Sequence, residues 1–204
     1  MTSRSTSARR TGPIETDRFA KVGIASREEL REWLAANHAR TDSVWLVTWK
    51  RTDPARYLSR WDVLDELLCF GWVDGIRRKL DAERTMQLVS PRRQQVWTRT
   101  YKERVARLEC EGRMEPPGRR AVARSKRLGL WNASADVDAL EVPQDLRLAL
   151  DADERAGAWF DDSAPSYRRN VLRWIKGAVG AATRAARISE AVERSARGEK
   201  VPQM

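Results

Sequence analysis

The segment from Ser59 to Lys79, "SRWDVLDELLCFGWVDGIRRK", changes its hydrophobic period halfway along, and that change limits the folds open to the chain. Up to Phe70 the apolar residues recur at helical spacing, with Trp61, Leu64 and Leu68 at i, i+3 and i+7. Ser59 and Asp62 stand at capping-box spacing, and Gly71 stands where a helix C-cap favours glycine. From Trp72 the pattern is extended: "WVDGIRRKLD" and "AERTMQLVSPRR" flank the polar Asp81, Ala82 and Glu83, which predicts a β-hairpin. A helix ending directly against a hairpin points to an α+β unit.

The flanking sequence extends this unit. "SREELREWLAANH" has Ser26 and Glu29 at capping-box spacing and Leu30, Trp33 and Leu34 on one face, predicting an amphipathic helix. "DSVWLVTWKR" is rich in β-branched and aromatic residues over positions 43 to 50 and predicts a strand. A helix is expected from about Trp97 to Cys110, stopped by Gly112, and a shorter one after Pro116 and Pro117, closed by Gly129. The fold class expected is α+β, a small antiparallel sheet packed on helices and followed by a helical domain.

Charge marks the expected boundary. Residues 91–127 hold twelve bases and four acids, whereas residues 131–163 hold nine acids and two bases. The change falls at a polar stretch ending in Pro143, a favourable first-turn helix residue. The reading is a disordered tail over 1–17, an α+β domain over 18–131, a linker over 132–141, a helical domain over 142–198 and a tail over 199–204. In the helical part Tyr167, Val171, Trp174, Ile175 and Ala178 share one face, with Arg168, Arg169, Arg173 and Lys176 on others.

The residue inventory narrows the chemistry. His38 is the single histidine, and Cys69 and Cys110 are far apart in sequence, so no zinc site, disulfide framework or metal cluster is expected. Neither G-x-x-x-x-G-K-[ST] nor G-x-G-x-x-G occurs, and no cofactor is expected. No apolar run approaches a membrane span or a secretory signal, so a cytoplasmic protein is expected. The formal net charge of +10 favours an anionic partner, and arginine-rich codon usage accounts for it equally well. Nine tryptophans stand out; Trp45 and Trp49 share a strand face, which either packs the core or walls a pocket with Trp72 and Trp97. Asp74 and Arg77 fall on opposite strand faces unless Gly75 makes a bulge.

"VWLVTWK", "LDELLCFGWVDG", "SPRRQQVWT", "ERVARLECEGRMEPPG" and "LGLW" resemble the N-terminal region of the YdeI/OmpD-associated, or bacteriocin-protection, family. "VPQDLRLALDADERAGAWF" and "YRRNVLRWIKGAVGAATRAARI" resemble its C-terminal helical domain, so the resemblance runs from Phe19 to about Gly198. It implies a YjbR/frataxin-like α+β fold with a helical tail, a cytoplasmic setting, and a role in tolerance of cationic antimicrobial peptides and bacteriocins. The family motif has Pro-Arg, then Ser, then Trp-Ser, then Asn two residues later. Pro91, Arg92 and Trp97 match it here, Gln95 stands near the first Ser, Thr98 replaces the second and Tyr101 replaces the Asn.

The leading functional expectation is a stress and antimicrobial-resistance protein that binds a small molecule or peptide. Asp74, Arg77, Pro91 and Arg92 are the expected ligand-binding residues of the hairpin, joined by Trp97, Thr98 and Tyr101 and by Trp45 and Trp72. One alternative is a small-molecule enzyme of self-resistance or natural-product tailoring, with Asp74 as catalytic acid or base and Cys69 or Tyr101 assisting. Another is nucleic-acid binding through the basic 91–127 block, which the acidic 131–163 segment would mask by docking on it.

Overall fold

The computed structural model describes residues 18–202. The tail expected over 1–17 lies outside them, as do the last two residues of the tail expected over 199–204. The chain forms two compact units that interleave along the sequence: residues up to Arg93 with Glu111–Arg120, and Gln94–Cys110 with Ala121 onward.

The first unit holds a four-stranded sheet built from β1 (Lys21–Gly23), β2 (Val44–Trp49), β3 (Trp72–Lys79) and β4 (Arg84–Pro91). The strand order is β1-β2-β4-β3. Strands β3 and β4 form the predicted hairpin, and β2 pairs antiparallel with β4. The class is α+β as expected, but the sheet is mixed, because β1 runs parallel to β2. Helix α1 (Arg27–Asn37) carries the chain back between them, as a parallel connection requires.

Both predicted N-caps are present. Ser26 Oγ accepts from the Glu29 amide at 3.1 Å, and Glu29 accepts from the Ala25 amide at 2.7 Å. At the start of α2 (Arg60–Cys69), Ser59 Oγ accepts from the Asp62 amide at 3.1 Å. Gly71 closes α2 at φ +74°, a left-handed backbone that glycine adopts without steric cost. The core gathers Leu30 and Leu34 from α1, Leu67 and Leu68 from α2, and Trp45, Trp72 and Val89 from the sheet. Trp33 meets Trp72 edge-on at 5.6 Å. Trp61 is 40% exposed and does not join the apolar face expected for it. The buried face of α2 includes Asp65 and Glu66 instead.

Residues 111–120 close this unit. The Glu115 amide donates to the Cys69 carbonyl at 3.1 Å, and a Cβ on Gly118 would stand 2.2 Å from that same oxygen. Glycine is therefore what lets helix α4 (Pro116–Arg127) begin against the end of α2.

The second unit is helical: α3 (Arg99–Cys110), the second half of α4, α5 (Ala135–Asp138), α6 (Gln144–Asp151), α7 (Glu154–Asp162), α8 (Pro165–Lys176) and α9 (Ala181–Ala196). Asp153 caps α7 by accepting from the Ala156 amide at 3.0 Å, which splits "PQDLRLALDADERAGAWF" into two helices. The apolar stripes meet in a core that includes Leu146, Leu150, Phe160, Val171 and Ile175. Tyr167, Val171 and Ile175 are buried as the period requires.

Candidate functional site

The sequence-derived site residues fall in both units. In the first, Asp74 and Arg77 flank the register shift of the hairpin, so a bulge is present where Gly75 allowed one. Gln87 joins them across the ladder: it accepts from Arg77 at 2.9 Å and donates to Asp74 at 3.4 Å. Arg92 is buried, and its amide donates to the Gly71 carbonyl at 2.9 Å, anchoring the end of β4 over the α2 cap. Pro91 pairs opposite Trp72 in the ladder. Trp45 and Trp72 are fully buried. Trp49 is only half-buried, and the Arg56 guanidinium covers its ring at 3.4 Å.

Cys69 lies at the buried end of α2. Burial, with the negative charge of Glu66 beside it, pushes its thiol up to about 11. A thiol so displaced carries almost no thiolate at neutral pH and is a poor nucleophile.

In the second unit Trp97 is buried, and its ring meets Trp131 at 5.0 Å. Tyr101 is half-buried on the first turn of α3. Thr98 lines a cleft of about 290 Å³. Arg99, Thr100 and Glu103 of α3 share its wall, Asp138 enters from α5, and Arg169 and Arg173 enter from α8. Three guanidinium groups, two carboxylates and two hydroxyls thus face one small space.

The bonding inside the cleft distinguishes these charges. Arg99 is tied to Glu103 at 2.6 Å. Arg169 donates its Nε to the Asp138 carbonyl at 3.2 Å, and Arg173 donates to Asn170 at 3.0 Å. Lys102 stands 3.4 Å from Asp138 Oδ2, while Asp138 Oδ1 is shut off from solvent and accepts no hydrogen bond among the described residues. Arginine forks of this kind suit carboxylate or phosphate groups.

Of these residues, sequence reasoning had singled out Thr98 alone as part of a site. The helical period puts Arg169 and Arg173 on faces other than the apolar one. Their spacing carried a signal: like charges at i and i+4 repel on a helix surface, so such a pair gains from an anion between them.

Three carboxylates of the acidic segment pair within the helical unit. Asp136 pairs with Lys176 at 2.6 Å, Asp145 with Arg184 at 2.6 Å, and Asp161 with Arg147 at 2.9 Å. These cations belong to α6, α8 and α9, whereas Asp138 reaches Lys102 of the block.

Residues 139–198 match the family described as Bacteriocin-protection, YdeI or OmpD-Associated, so the resemblance read from the sequence holds over this segment. Residues 22–121 match a family model described as a domain of unknown function, DUF8412. No curated protein and no solved structure matches the chain. No helix among the described residues is long and apolar enough to cross a membrane.

Proposed function

We propose that this protein, whose residues 139–198 carry the bacteriocin-protection domain, acts inside the cell in stress and antimicrobial resistance by binding a small acidic molecule or peptide end. The observation behind the reading is the convergence of Arg99, Arg169 and Arg173 with the Thr98 and Thr100 hydroxyls on one cleft. Guanidinium groups held by neighbouring carbonyls and amides are oriented in advance, which lowers the entropy lost on binding. The domain match supports the biological setting, and the cleft supports the chemistry.

The test is genetic and direct. A strain lacking the gene should become more sensitive to cationic antimicrobial peptides, and the wild-type gene should restore tolerance. An Arg169→Gln, Arg173→Gln double variant should accumulate normally yet fail to restore it. Full restoration by that variant would remove the cleft from the function.

A nucleic-acid-binding reading draws support from one observation. Arg124, Lys126 and Arg127 are exposed in the last turn of α4, and Asp136, Asp145 and Asp161 pair with other cations. It predicts affinity for DNA or RNA that falls steeply with salt, and salt-insensitive or absent binding rejects it.

A further inference from the structure

We infer that the cleft lined by Arg169 and Arg173 takes a phosphoryl dianion, free or as the terminal group of a small monoester. The inference rests on the anion-binding role proposed above and names the chemistry of the anion.

Charge balance carries the first step. Glu103 pairs with Arg99 at 2.6 Å and Asp138 with Lys102 at 3.4 Å, so each carboxylate of the cleft is matched by a cation of α3. Arg169 and Arg173 have no such match. Arg169 donates to the Asp138 carbonyl and Arg173 to the Asn170 side chain, both neutral acceptors, and neither arginine forms an ion pair among the described residues. Two positive charges one helical turn apart are thus left on the cleft. A carboxylate neutralises one of them. A phosphate monoester, with a charge of about −1.5 to −2 at pH 7, neutralises both.

The placement of the donors makes the second step. The remaining guanidinium N–H groups come from α8, whereas the Thr98 and Thr100 hydroxyls come from the start of α3. Neither hydroxyl is engaged by another group among the described residues, so both can donate. A planar carboxylate has two oxygens, which one guanidinium fork fills, and the hydroxyls would then have no role. The three oxygens of a phosphoryl group diverge, and they meet guanidinium and hydroxyl donors at once.

Size limits what else is recognised. At about 290 Å³ the cleft lies at the lower end of small-molecule sites, which begin at about 300 Å³. It holds a charged head group and little more.

Amide shifts of the full-length protein would be followed by NMR at pH 7.5 during titration with methyl phosphate, inorganic phosphate, dimethyl phosphate and acetate. The first two are largely dianionic there; dimethyl phosphate keeps the tetrahedral shape with one charge, and acetate is a planar monoanion. Both dianions should move the Thr98 and Thr100 amides and bind about tenfold or more tightly than either monoanion. Methyl phosphate binding at least as tightly as inorganic phosphate assigns an ester, and the reverse order assigns the free ion. Arg169→Gln and Arg173→Gln should each bring the dianions down to the affinity of the monoanions. Acetate or dimethyl phosphate binding as tightly as the dianions overturns the inference and leaves the anion-binding reading standing, whereas no shift of the cleft amides with any probe overturns both. Circular dichroism separates a folding failure from a recognition failure, and a full dianion preference in folded Arg173→Gln protein, altered at an exposed position, also overturns the inference.

Discussion

The Glu66 carboxylate, wholly buried in α2, accepts a hydrogen bond from Arg31 Nη1 of α1 at 2.9 Å. Arg27 reaches its other oxygen at 2.7 Å, and Arg113, just before α4, donates to that oxygen too. One carboxylate thus ties α1, α2 and the 111–120 segment together in the first unit. Removing one partner of a buried ion pair leaves uncompensated charge, which costs about 3–5 kcal/mol. Glu66→Ala leaves Arg27 to Asp62 and Asp65, Arg31 to Glu115 and Arg113 to Glu111, so the cost falls below that range, and the variant should destabilise the protein by about 1–3 kcal/mol in urea unfolding. A loss below about 1 kcal/mol would show that these arginines are served equally well by water.

The same network shows why part of the fold was legible in sequence and part was not. Ser26 with Glu29 and Ser59 with Asp62 are local signals, since a cap bonds to an amide three residues away. Gly71 is local too. Glu66 and Asp65 carry no local signal of burial, yet Arg27, Arg31 and Arg113 allow Glu66 to be buried, and Trp61 turns outward. Strand β1 has three residues and no apolar pattern; it exists through its pairing with β2, which no local signal records. The cleft joins side chains from α3, α5 and α8, far apart in sequence, so Thr98 was readable as a motif position while Asp138 was not.

Gly118 sets helix propensity against packing. Alanine is favoured over glycine inside a helix by about 1 kcal/mol. A Cβ here, however, would meet the Cys69 carbonyl oxygen at 2.2 Å and the Leu68 carbonyl oxygen at 2.8 Å, and backbone does not yield as a side chain does. Gly118→Ala should therefore destabilise by about 1–3 kcal/mol, the range of overpacked sites. Gly23→Ala, where a Cβ meets nothing within 4 Å, is the control. A Gly118→Ala protein as stable as wild type would mean that α4 does not start against α2 as described.

The two thiols should differ sharply in reactivity. Cys110 is exposed, whereas Cys69 is buried and its thiol is pushed up to about 11 by burial and by Glu66. Because the thiolate is the reactive form, an uncharged maleimide at pH 7.5 should label one thiol per folded chain and two after unfolding in urea. Cys110→Ser should remove the fast phase. Labelling of Cys69 in the folded Cys110→Ser protein at a rate near that of a free thiol would contradict the packing at the end of α2.

Acid stability should follow the ion pairs of the helical unit. The Arg184 guanidinium holds the Asp145 carboxyl below its ordinary value, Lys176 does the same for Asp136, and Arg147 for Asp161, each chiefly through a side-chain hydrogen bond. A carboxyl with a lower pKa folded than unfolded makes the unfolded chain the stronger proton binder between the two values. Its contribution is fully present above the unfolded value, near pH 4, and is lost as pH falls through the folded value. These carboxyls are largely exposed, so the effect is modest and screened by salt. Urea midpoints should be insensitive to these groups from pH 7 to 5 and drop below about pH 4, with a shallower drop in the Asp145→Asn, Asp161→Asn double variant and in added salt. A double variant whose acid limb coincides with that of wild type would show that these pairs, though formed, do not distinguish the folded from the unfolded chain.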